Sequence, residues 1–169
     1  MDIALLLFLI LLNGVFAMAE IAVVSSRKSR LQRLAEDGSP GAISALELHS
    51  EPSNFLSTIQ VGITSIGILS GAIGETALAD PLAAWLGGWA PLAPYAKGIA
   101  LTLVVVVLTY FSVVIGELVP KRLGLLAPEG IASLIARPMN ALAHARPLVW
   151  LLSTSSGLAA AGAGRETQG

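Results

Sequence analysis

The chain has 169 residues, of which 54% are hydrophobic and only 12% charged, and its mean hydropathy is +0.77. That leaves too few polar groups to cover a soluble domain and too much apolar content for a disordered one. A net charge of −1 argues against a nucleic-acid binder; the lack of cysteine excludes disulfides and thiolate chemistry, and two distant histidines, His49 and His144, leave little for His-based metal or triad sites.

The composition is that of an all-α integral membrane protein. The first span covers about residues 3–24 and is broken only by Asn13 and Glu20. Met1-Asp2 is acidic where a signal peptide is basic, so this run reads as a retained helix. Residues 27–53 are polar, with a break at Asp37-Gly38-Ser39-Pro40. Leu31 and Leu34, then Ile43, Leu46 and His49, recur at helical spacing. They predict two short amphipathic helices on the membrane face.

The second span covers about residues 55–74. Residues 75–97 read as an outer loop whose Trp85, Trp89 and Tyr95 suit the headgroup level. The third span covers about residues 98–119 and includes four consecutive valines, 104–107. Each run is long enough for a hydrocarbon core of ~30 Å. Arg27, Lys28, Arg30 and Arg33 follow the first span, and Lys121 and Arg122 follow the third. Lys97 is alone in the loop between. The basic residues therefore set the N-terminus outside and the C-terminus inside. Residues 129–145 read as a further amphipathic helix, with Ile131, Leu134, Ile135 and Met139 on one side. Residues 147–164 read as an interfacial or intracellular helix, and 162–169 as a flexible end.

A polar residue inside a span needs an explanation. The sharpest case is Gly116-Glu117-Leu118-Val119-Pro120-Lys121. Pro120 has no N–H, so the carbonyl of residue 116 loses its helical donor. Gly116 has no side chain to cover that carbonyl, and the Glu117 carboxylate stands beside it. Together they suit a hard cation. The plainer alternative is that Pro120 ends the helix and Glu117 pairs with Lys121 at i+4. On the second span Gln60 and Thr64 share a face that continues through Gly67 and Gly71. That face serves either helix packing or a cation shell of neutral oxygens. Glu20 and Ser25 lie ~140° apart on the first helix. Ser25 can offer an oxygen, and Glu20 can pair with Lys121 or a helix N-terminus.

These residues together resemble the transmembrane domain of the CorC/cyclin M magnesium-transporter family. The matching pieces are Ala19-Glu20 followed by Ser25-Ser26, the stretch from Phe55 to Thr64, and Gly116 to Lys121. The match covers about residues 1–150, and 151–169 form the end beyond it. The resemblance implies a homodimer of three-helix domains in the cell (inner) membrane, with a cytoplasmic belt of juxtamembrane helices. It implies Mg²⁺ export, exchanged for Na⁺, and no enzymatic activity. The ion would be held by Glu117, the Gly116 carbonyl, Ser25, and Thr64 or Gln60. Pro120, Lys121, Glu20, Gly67 and Gly71 would shape the site. ATP would act only through cytosolic CBS domains, which this chain does not contain. Cyclin M relatives tend to carry Asn where this sequence has Ile63, so a ligand at that position is lost. The alternative is a Mg²⁺-binding sensor or dimerisation scaffold without transport.

Overall fold

A computed structural model describes residues 2–50 and 52–143 of the chain. Among these residues every regular element is helical. α1 spans Asp2–Ser25, α2 Lys28–Glu36, α3 Pro40–Ser50 and α4 Pro52–Gly74. A π-turn, Glu75–Ala79, joins α4 to α5, Asp80–Gly87. A short 3₁₀ turn at Ala93–Tyr95 precedes α6, Ala96–Val113. A second π-turn, Val114–Leu118, leads into α7, Val119–Leu126, and α8 covers Pro128–Ala143.

Three helical stretches are long and apolar enough to cross a membrane: Asp2–Ser25, Phe55–Gly87 and Ala93–Leu126. The three expected spans are therefore present, but the second and third are longer than their apolar runs. The expected outer loop at 75–97 is mostly helix and narrows to a turn around residues 88–95. Pro120 does not end the third helix either. Both differences have one cause. Pro81 and Pro120 each follow the residue that closes a π-turn. In the first turn the Asp80 N–H bonds the Glu75 carbonyl; in the second the Val119 N–H bonds the Val114 carbonyl. The wider turn takes up the ring that would clash with the preceding turn of an α-helix. In lipid a broken helix would leave backbone groups unpaired, so the chain distorts rather than stops.

The largest core lies at the C-terminal end of α1. Ala19, Ala22 and Val23 meet Leu31 of α2, Ala45 and Leu48 of α3, Phe55 and Ile59 of α4, and Ala132 and Ile135 of α8. α2 ends where Gly38 adopts φ +85°. Its N–H bonds the Ala35 carbonyl, and the Ser39 N–H bonds the Leu34 carbonyl. This pairing closes the helix, and the left-handed residue costs glycine nothing.

α3 packs against α8. The buried face of α3 is Ala42, Ala45 and Leu48, while the expected Ile43 is exposed. On α8 the buried residues are Ala132, Ile135 and Ala136, and Leu134 is 78% exposed. Leu46, Ile131 and Ile135 pack on the core as expected, but Ala42, Ala45, Ala132 and Ala136 fill much of the contact, so Ile43 and Leu134 stay outside it. A Cβ on Gly41 would run into the Ser133 backbone. The expected helix at 147–164, the end at 162–169 and His144 lie outside the described residues.

Candidate functional site

The candidate site forms where α1 crosses the second π-turn and α7. Glycine at three positions permits the approach. A Cβ on Gly14 would stand 2.9 Å from Pro120 Cγ and 3.3 Å from the Ile115 carbonyl oxygen. One on Gly116 would stand 3.3 Å from the Ile10 carbonyl oxygen. One on Gly124 would press on Ile21 and the Met18 backbone. The backbone of α1 thus lies directly against the Gly116–Pro120 segment.

At this crossing the Asn13 side chain donates its Nδ2–H to the Gly116 carbonyl at 3.1 Å. The carbonyl expected to be free has a partner 103 residues away. Asn13 Oδ1 is buried and accepts no hydrogen bond. A buried acceptor without a donor costs about 1–3 kcal/mol.

About two helical turns further toward the C-terminal end of α1 lie three charges. Lys121 Nζ is 2.7 Å from Glu117 Oε1, the i,i+4 pair expected from the sequence, and 3.8 Å from Glu20 Oε2. The three side chains are partly exposed. Two carboxylates and one ammonium leave the cluster with one net negative charge. One ammonium is therefore held between carboxylates from two different helical segments.

The structure does not bring all the expected ligands to this cluster. Ser25 is the last residue of α1 and is half-buried. Gln60 and Thr64 are exposed on α4. α4 packs on another side of α1, where a Cβ on Gly62 would touch the Phe16 ring at 3.4 Å. Gly14 and Phe16 are ~200° apart around that helix. A Cβ on Gly67 or Gly71 would meet nothing within 4 Å. Among the described residues no three His, Cys, Asp or Glu side chains cluster closely enough to hold a metal ion. Sequence reasoning passed over Asn13 as a mere interruption of the first span. The signal was there: a carbonyl stripped of its donor in lipid needs another, and Asn13 supplies one.

The family profile described as the cyclin M transmembrane N-terminal domain matches residues 4–168. The chain belongs to the cyclin M transmembrane-domain family. It is 49% identical over 149 residues to a UPF0053 protein of Synechocystis, covering 88% of this chain and 33% of that protein. It is 36% identical over 152 residues to the polyamine export protein of Haemophilus influenzae, covering 86% of this chain and 34% of that one. With the polyamine export protein of Escherichia coli K12 the identity is 30% over 153 residues, covering 90% and 34%. The chain thus spans about a third of the length of these relatives. Fold and family together make it a membrane domain related to transport.

Proposed function

We propose that this chain is the membrane domain of an exporter of small polyvalent cations, and that its cargo is an aliphatic polyamine. One observation carries this reading. The Lys121 ammonium sits between Glu117 and Glu20, at 2.7 and 3.8 Å. A primary ammonium on a flexible alkyl stem is what the end of a polyamine presents. Cargo entering from the side of α7 exchanges with Lys121 for the same two carboxylates. The names of the Haemophilus and Escherichia relatives support the same cargo class. The domain works as a homodimer in the cell membrane, N-terminus outside, with α2, α3 and α8 on the cytoplasmic side.

A second reading is Mg²⁺ export in exchange for Na⁺. Asn13 Oδ1 favours it, as an unpaired oxygen beside the Gly116 carbonyl. With the Gly116 carbonyl and the neighbouring Glu117 it offers hard oxygen donors suited to Mg²⁺. In that reading Gln60 and Thr64 join only if α4 turns or a second copy supplies them. Binding without transport, as a sensor or scaffold, is the third.

Flux in proteoliposomes separates the three. Labelled spermidine and free Mg²⁺ are followed for the wild-type chain and Glu117→Gln. Spermidine flux that Glu117→Gln abolishes supports the first reading. Mg²⁺ flux alone, lost in the same variant, selects the second. Binding with no flux of either selects the scaffold.

A further inference from the structure

α4 and α6 diverge enough to leave a cleft of about 250 Å³ between them. Its walls include Val104 and Leu108, the hydroxyl residues Ser70, Thr109 and Ser112, and Glu75. Ser70 is buried, and Glu75 is exposed at the first position of the first π-turn. A Cβ on Gly74 would run into the Leu108 side chain, so this π-turn lies level with the middle of α6. At the other end, Ser112 is two residues before the second π-turn. The cleft therefore runs from the first π-turn toward the second, and each of these turns carries a glutamate.

The lining is mostly aliphatic, with a few hydroxyls and one carboxylate. Bare Mg²⁺ demands near-octahedral oxygen ligation and finds no such shell here. An aminoalkyl chain matches it better. Methylenes lie on Val104 and Leu108, N–H groups donate to the hydroxyls, and an ammonium pairs with Glu75. Two general observations point the same way. π-turns inside α-helices concentrate at functional sites, and an ionisable residue within a span marks a ligand path.

We infer that this cleft is a second polyamine site, distinct from the Glu20–Glu117–Lys121 cluster, in which Glu75 binds a cargo ammonium near the middle of the membrane domain. The inference rests on the polyamine reading above. Cargo released from the carboxylates of Glu20 and Glu117 moves along α6 to Glu75.

Isothermal titration of spermidine into the purified full chain tests both levels. Two variants address the cleft: Glu75→Gln removes the charge, and Gly71→Leu fills the space, since a side chain there meets nothing within 4 Å. Glu75→Asp keeps the charge and controls for folding. The wild-type chain is expected to bind two equivalents. Glu75→Gln and Gly71→Leu each weaken one of them at least tenfold, Glu75→Asp keeps both, and Glu117→Gln weakens the other. One equivalent, lost in Glu117→Gln and unchanged in Glu75→Gln and Gly71→Leu, overturns the second site and leaves the cargo reading standing. No binding of spermidine by the wild-type chain overturns both.

Discussion

Asn13 holds the Gly116 carbonyl from across the helix crossing, with its amide nitrogen 3.1 Å from that oxygen. This bond supplies a donor in place of the one Pro120 lacks. Asn13→Leu removes this donor from a buried carbonyl that Pro120 cannot serve. The expected loss is about 1–3 kcal/mol, read as a lower thermal midpoint in detergent. Asn13→Asp places an acceptor against an acceptor and is expected to lose more. An unchanged midpoint in both would show that the carbonyl finds another donor.

Lys121 neutralises one of two carboxylates, so its removal is expected to open the cluster to cations from solution. Lys121→Ala is predicted to bind small alkylammonium ions more tightly than the wild-type chain, in which they must displace Lys121. Ethylamine should raise the thermal midpoint of the variant more than that of the wild type. Equal response of the two proteins would mean that the ammonium does not occupy the cation position.

Pro120→Ala returns an N–H to the helix and removes the reason for the second π-turn. Proline inside a helix costs about 3 kcal/mol relative to alanine, so the variant is expected to be as stable as the wild type or more so. Loss of the extra residue in the turn rotates α7 by ~100° against α6. Lys121 then swings away from Glu20. The prediction is retained stability with cation flux reduced at least tenfold. Full flux in Pro120→Ala would separate the π-turn from transport.

The glycines of the spans are expected to divide into two classes. Gly14→Val forces branched atoms into Pro120 and the Ile115 carbonyl. Overpacking of this kind costs about 1–3 kcal/mol. Gly67→Ala adds a methyl where nothing lies within 4 Å. It is expected to be neutral or to stabilise by up to about 1 kcal/mol through helix propensity. Thermal unfolding of both variants checks the contrast.

Much of the architecture was legible because it depends on local rules. Apolar length located three spans, and Asp37-Gly38-Ser39-Pro40 marked the closure after α2. The Glu117–Lys121 pair followed from i,i+4 spacing. Three features were not legible, each for a physical reason. Pro120 reads as a stop in water, where a freed backbone can solvate; within lipid the helix widens instead. Ile43 and Leu134 were misplaced because Ala42, Ala45, Ala132 and Ala136 fill much of the contact faces of α3 and α8. Asn13 has its partner 103 residues away, beyond the reach of any periodicity.

The helices Phe55–Gly87 and Ala93–Leu126 contain 33 and 34 residues, against 24 in Asp2–Ser25. At ~1.5 Å per residue each of the longer two measures roughly 50 Å, well beyond a hydrocarbon thickness of ~30 Å. Such a hairpin must lean steeply or stand proud of the bilayer, and the balance follows lipid chain length. Its two π-turns are the joints at which that lean can differ between the two halves of each helix. Bilayer thickness thereby acts on the segments that hold Glu75 and Glu117, making acyl-chain length a physical variable in the geometry of both carboxylates.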